Sequence, residues 1–172
     1  MIPRISAILF AFALCVSFTT ADESAKKAQP KGDQLKAICA LEGTWVQLKP
    51  APPEGQRPPT LVFRPTAGGS AVMETMSPGS DHEMLNVYTE DEKGVLLTHY
   101  CLMGNQPRMR LTSIKDGVLT FEYVDAGNLK SRDEAHMDGL VITVKGDQMT
   151  QDWSMYADGK VTGHHTFELK RQ

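Results

Sequence analysis

Apolar and polar residues alternate with a period of two along most of the chain after Gly43. The alternating segments end at short turns in which Gly accompanies Asp, Asn or Lys, such as DEKG at 91–94 and KDG at 115–117. Segments of this kind between such turns are typical of antiparallel strands joined by hairpins. The pattern predicts about ten short strands.

One segment before the strands has a helical rhythm instead. In DQLKAICALEG, at 33–43, Leu35, Ile38 and Cys39 fall on one helical face. Asp33 is a suitable cap for the start of a helix, and Gly43 is a suitable residue to end it. The sequence therefore predicts one short amphipathic helix ahead of the first strand.

A run of hairpin-linked strands folds either as a closed barrel or as a sandwich. The barrel is favoured because closure removes exposed strand edges. The predicted fold class is all-β: a single antiparallel up-and-down β-barrel of about ten strands, with one short N-terminal helix at its end.

The N-terminal residues have the pattern of an export signal. Arg4 precedes an apolar run from Ile5 to Phe18, and small residues lead to a cleavage site after Ala21. The run is shorter than the about 20 residues that span a membrane, although an uncleaved anchor is an alternative. We expect a signal peptide at 1–21, a flexible leader at 22–33 and the barrel domain at 34–172. The protein is then exported, periplasmic or secreted, and leaves the membrane after cleavage.

Charge excludes one class of partner. The formal net charge is −3 and the basic residues are interspersed with acidic ones, so the chain offers no stripe to neutralise phosphates. No nucleic-acid partner is expected.

Cysteine usage gives two alternatives. Cys39 and Cys101 follow the predicted signal peptide, and in an oxidising compartment they invite one disulfide. Two buried thiols are the other reading.

The segment Leu41-Glu42-Gly43-Thr44-Trp45, followed by a meander of strands, resembles the lipocalin-like (calycin) barrels. The resemblance implies that Gly43 and Trp45 open the first strand and that the indole packs across the closed end. It also implies that a basic residue of the last strand, Arg171 or its neighbour Lys170, lies against that ring.

Two further segments, 81–84 and 97–109, resemble parts of small exported bacterial proteins that have no assigned activity. The general plan is also similar to that of fatty-acid-binding and nitrobindin-type barrels. Since the latter use a histidine to hold haem, the resemblance implies haem as an alternative ligand, although no cofactor is the primary expectation.

The segment LTHYCLMGNQPRMRL at 97–111 carries the most polar candidates. Alternation puts His99 on one face with Leu97 and Cys101, either lining a cavity or hydrogen-bonded in an apolar wall. Arg108 and Arg110 also share a face. They form either an inward clamp for a carboxylate or phosphate, or outer ion pairs with acids of the next strand.

Three more residues join the candidate lining. These are His136, Trp153 and His165, the last chosen over His164 because adjacent residues of a strand face opposite sides. A soft metal held by His99, Cys101 and His136 or His165 is a minor alternative. Several methionines in the strands suit either an adaptable cavity wall or ordinary core packing.

The chain has no GxSxG, HExxH or P-loop motif, so an enzyme is the less favoured reading. The expected function is binding of a small hydrophobic or amphipathic molecule in the barrel cavity. Alternatives are a haem-binding or metal-dependent enzyme on the same barrel, and a structural or interaction protein without a ligand. The candidate ligand-binding residues are His99, Arg108, Arg110, His136, Trp153 and His165. The sequence does not indicate an oligomeric state.

Overall fold

The computed structural model describes residues 32–172, so the predicted signal peptide and most of the predicted leader lie outside the described residues. One helix and ten strands follow one another, with a short 3₁₀ turn at Ala67–Gly69. The elements are α1 (Asp33–Cys39), β1 (Gly43–Lys49), β2 (Thr60–Thr66), β3 (Ala71–Met76), β4 (Met84–Asp91), β5 (Gly94–Tyr100), β6 (Gln106–Lys115), β7 (Val118–Gly127), β8 (His136–Lys145), β9 (Gln148–Ala157) and β10 (Lys160–Arg171).

Each strand pairs antiparallel with its neighbours in the chain, and β10 pairs with β1, which closes the barrel. The predicted fold class is confirmed. The closing seam is uneven: β10 pairs with β9 from Lys160 to Lys170, but with β1 from Glu168 to Arg171. The proline-rich segment at 50–59 follows β1 directly, and prolines lack the N–H that a longer β1 needs for further pairing.

The helix α1 covers one end of the barrel. Leu35 and Ile38 are buried there, and the Gln34 side-chain oxygen accepts a hydrogen bond of 3.0 Å from the Val95 N–H. The expected cap is corrected: Gly32 occupies the N-cap position, and Asp33 lies in the first turn, 2.9 Å from the Lys36 ammonium. Between residues 32 and 172 the structure contains no helix with the length and apolar character needed to cross a membrane.

The same end is closed by an aromatic and a cation. Trp45 is fully buried, and its indole N–H donates to the Leu41 carbonyl over 2.9 Å. The Arg171 guanidinium lies 4.3 Å from the centre of that ring and donates to the carbonyls of Ala40 and Glu42. These contacts join the last strand, the first strand and the segment after the helix.

Gly43 is the first residue of β1 and does not end the helix, which stops at Cys39. Its φ of +129° suits glycine, and an added Cβ would lie only 3.1 Å from an Arg171 nitrogen. The glycine therefore allows the arginine to lie across the closed end.

Strand alternation sorts the interior by polarity. Toward the helix the inward side chains are apolar, as with Phe63, Val95 and Leu111. Further along the strands the buried set becomes polar, and it includes Glu74 and His99. The barrel thus has an apolar closed half and a half with buried polar groups.

Of the two alternatives for the cysteines, the disulfide is not formed: Cys39 and Cys101 are free thiols. Cys39 ends the helix that covers the closed end of the barrel, whereas Cys101 follows the far end of β5. A disulfide needs Cα atoms within about 7 Å, and the length of the barrel wall separates these two.

Candidate functional site

The end opposite the helix is open. The loops at 50–59 and 77–83 border a cleft of about 690 Å³ there, and a deeper cavity of about 180 Å³ adjoins it. The two spaces share Met76, Met84 and Phe167 as wall residues. The interior of the barrel is therefore reached from this end.

Six of the ten strands contribute to the deeper cavity, and its wall combines thioethers, aromatic rings and two imidazoles. Thioether side chains adapt their shape readily, which suits a wall that accommodates a ligand. The lining residues are Met76, Met84, His99, Met137, Trp153, His165 and Phe167.

His99 is the buried polar residue of this wall, with 1% of its surface exposed. Its Nδ1 lies 2.7 Å from Asn86 Oδ1, and because a carbonyl oxygen only accepts, Nδ1 carries the hydrogen. Nε2 then has a lone pair, and it finds no hydrogen-bond partner within residues 32–172. Burial lowers the pKa of His99 to about 4, so the ring stays neutral near pH 7.

A buried hydrogen-bond network centred on a carboxylate holds the partner of His99 in place. Asn86 Nδ2 and the Tyr88 hydroxyl donate to Glu74 Oε2 over 2.7 and 2.6 Å. Gln151 Nε2 donates to Glu74 Oε1 over 2.7 Å, and its own oxygen accepts the Trp153 N–H at 3.0 Å. Burial raises the pKa of Glu74, while the three donated hydrogen bonds act in the opposite direction.

The structure brings three of the six candidate binding residues together. His99, Trp153 and His165 line the same cavity, and the first two rings are 4.9 Å apart. His165 lies on the exposed part of the wall. Its neighbour His164 faces outward, 3.3 Å from Asp152, as strand alternation requires.

His136 is buried but lies outside this cavity, which corrects its expected role. Its ring packs 4.9 Å from Tyr123 and 5.4 Å from Tyr156, and Nδ1 donates to the Glu134 carbonyl at 2.5 Å. Nε2 contacts Arg132, whose guanidinium lies 4.0 and 3.7 Å from the two tyrosine rings. The histidine thus supports the loop before β8.

Arg108 and Arg110 are on the outer face, which corrects their candidate ligand-binding role and agrees with the alternative of outer ion pairs. Arg108 Nε lies 2.5 Å from Asp125, and Arg110 Nη1 lies 2.7 Å from Asp91. The reason is alternation: Met109 is fully buried, so its neighbours on β6 point to solvent.

The metal alternative that used Cys101 is wrong. Cys101 lies beyond the end of β5, and within residues 32–172 no three His, Cys, Asp or Glu side chains are grouped to hold a metal. Methionine is outside that set of ligands.

Sequence reasoning missed Glu74 and Met137. Glu74 alternates with Val72 and Met76, so a carboxylate on an apolar face was a usable signal. Met137 gave no such signal, because a bulge between Met137 and Gly139 shifts the register of β8 against β9. Bulges of this kind reverse the face that simple alternation predicts.

The fold and site together define a closed ten-stranded antiparallel barrel with a cavity at one end. No protein-family model matches the chain. No curated protein matches its sequence either.

Proposed function

We propose that the chain is an exported, lipocalin-like barrel that binds a small, partly apolar molecule in the cavity at its open end. The observation that carries this proposal is that buried His99 lines the cavity while its Nε2 finds no hydrogen-bond partner among residues 32–172. Residues 1–21 act as the signal peptide in this proposal.

The chemistry of the wall selects the ligand. A buried acceptor without a partner costs about 1–3 kcal/mol, which a ligand N–H or O–H recovers on binding. Apart from the two histidines the lining is aromatic, apolar or thioether, so the rest of the ligand is apolar.

The outer cleft extends the site. Its volume of about 690 Å³ accommodates a molecule larger than the deeper cavity alone holds, and ligand pockets are commonly about 300–1,000 Å³. The ligand places its donor group at His99 and extends its apolar body toward the loops at 50–59 and 77–83.

A fluorescent probe with both features tests the proposal. N-phenyl-1-naphthylamine has one N–H donor on an apolar body, and its emission rises on transfer from water. We expect binding by the exported protein and a loss of about tenfold in affinity for His99→Leu, which removes the acceptor. His164→Gln, on the outer face, is the matched control and should bind as the parent does. No binding by the parent protein, or equal binding by His99→Leu, would contradict the proposal.

The natural occupant is identified by native mass spectrometry of the protein purified from its own compartment, before and after denaturation. A released molecule gives the ligand class directly. A native mass equal to that of the bare polypeptide favours the alternative of a structural or interaction protein.

Haem is the second candidate, and the fixed tautomer of His99 favours it. A neutral imidazole with one nitrogen held by a hydrogen bond and the other free is suited to ligate iron. A Soret band that appears on haem addition and is lost in His99→Leu would support this candidate, and the absence of such a band would remove it.

A further inference from the structure

The deeper cavity is rich in sulfur. Three of its wall residues are methionines: Met76 on β3, Met84 on β4 and Met137 on β8. Met76 and Met84 are directly paired across β3 and β4, so their side chains are on the same face of the sheet. Thioethers are soft ligands that select Cu(I) among the common metal ions.

One of these sulfurs is close to the amide that holds the histidine. Met76 Sδ lies 3.7 Å from Asn86 Nδ2, and the oxygen of the same amide holds His99 Nδ1. Asn86 and His99 are directly paired across β4 and β5. The thioether of Met76 and the ring of His99 therefore both contact the Asn86 side chain.

His99 has the support expected of a metal ligand. Metal-binding histidines almost always donate their second ring N–H to an oxygen that fixes the tautomer. Here Asn86 supplies the oxygen, and Glu74 in turn accepts from Asn86. This places the carboxyl group of Glu74 two hydrogen bonds behind the ring of His99.

The wall lacks the donors that harder ions need. Its residues include no carboxylate and no thiolate, and within the described residues 32–172 no group of three His, Cys, Asp or Glu side chains forms elsewhere. Zinc and calcium sites use such groups. Neutral imidazole and thioether donors suit an ion of low charge.

We infer that the deeper cavity binds a soft monovalent metal ion, Cu(I) or its analogue Ag(I), through His99 Nε2 and the thioethers of Met76, Met84 and Met137. His165, on the exposed part of the same wall, provides a further nitrogen where the ion enters. The ion is cargo, and its binding requires no change of oxidation state. This inference goes beyond the proposed organic ligand and does not depend on it.

Silver tests the inference because Ag(I) is stable in air. The experiment uses the exported protein with Cys39→Ala and Cys101→Ala, since both free thiols would bind silver themselves. Isothermal titration with silver nitrate in a chloride-free buffer should show one strong site per chain. Competition with bicinchoninate under reducing conditions should show the same site for Cu(I).

The decisive variant is Met76→Leu/Met84→Leu/Met137→Leu, because leucine keeps the volume and apolarity while removing the sulfur. Removing a group that is merely hydrogen-bonded to a metal ligand weakens metal binding by about 10–100-fold. Removing the three thioether ligands themselves should therefore weaken Ag(I) binding by at least about 100-fold. Met109→Leu/Met149→Leu is the matched control, as these buried methionines lie outside the cavity wall. It should retain full affinity.

The same samples separate this inference from the proposed function. The triple variant should bind N-phenyl-1-naphthylamine within about threefold of the parent, since the cavity keeps its shape. The metal inference is overturned if the triple variant binds Ag(I) as tightly as the parent, or if the parent has no strong Ag(I) site. Either outcome overturns it whether or not N-phenyl-1-naphthylamine binds. An equal loss of Ag(I) binding in both methionine variants also overturns it, because the effect then comes from the core and not from the cavity.

Discussion

At the scale of single residues, His99 decides how the cavity is interpreted. The alternation predicted that Leu97 and His99 share a face, and both side chains are buried. The identity of the free nitrogen was beyond sequence reasoning, because Asn86, which fixes the tautomer, comes from another strand. Local alternation gives the direction of a side chain, whereas its partners depend on strand register.

The depressed pKa of His99 predicts a pH-dependent stability. The folded-state pKa is about 4 and the ordinary value is about 6.5, so between these values the unfolded chain binds more protons. The contribution of neutral His99 to the free energy of unfolding is complete above pH 6.5. It is lost as the pH falls toward 4, and the total loss is about 3 kcal/mol.

His99→Gln removes this dependence. In urea unfolding between pH 7 and pH 4, the free energy of unfolding of the parent minus that of the variant should decrease by about 3 kcal/mol. His164→Gln serves as the control, since its ring is exposed and paired on the outer face. If the difference in free energy of unfolding between the parent and His99→Gln stays constant with pH, the predicted lowering of the His99 pKa is wrong.

At the scale of elements, the period-two pattern predicted the hairpins well and the face of each strand less well. On β6 the sequence indicated that Arg108 and Arg110 share a face, but both faces of that strand contain plausible cavity residues. The buried Met109 settles the choice. On β8 the bulge at Met137 breaks the alternation itself, so no sequence pattern places that side chain.

The contacts that join the first and last strands predict that Arg171 stabilises the closed end of the barrel. Lysine at this position keeps the charge but loses the planar fork that donates to two carbonyls while stacking on Trp45. We expect Arg171→Lys to lower the free energy of unfolding by about 1–2 kcal/mol. Chemical denaturation measures the change.

Lys170→Gln is the control for that variant, because the Lys170 ammonium forms a surface ion pair of 3.5 Å with Asp147. Its effect should stay within about 0.5 kcal/mol. Equal effects of the two substitutions would mean that the arginine contributes charge alone.

At the scale of the whole molecule, the number of strands and the short turns were enough to predict closure. The same information does not give distances between segments far apart in the chain. For this reason the sequence left the disulfide open as an alternative: the order of elements does not reveal that α1 covers one end of the barrel while Cys101 lies near the other.

Free thiols predict a stability that is independent of reductant. A disulfide between Cys39 and Cys101 would close a loop of about 60 residues and would contribute about 4 kcal/mol to stability in the chain-entropy model. For the protein processed after Ala21, the free energy of unfolding with and without dithiothreitol should agree within about 0.5 kcal/mol. Thiol titration of the denatured, unreduced protein should find both cysteines reactive, and a protected pair would contradict the structure.

The uneven pairing of β10 with β1 has a consequence for the local stability of the barrel wall. From Lys160 to Phe167, β10 has its ladder with β9, while its ladder with β1 is confined to Glu168–Arg171. Local opening is easier where a strand is paired on one side alone, so residues 160–167 of β10 should separate from the barrel more readily than residues 168–171 do. His165 and Phe167 belong both to that stretch and to the cavity. Whatever binds in the cavity therefore contacts the stretch of β10 that lacks a ladder with β1, and by mass action occupancy should raise the free energy needed to open that stretch.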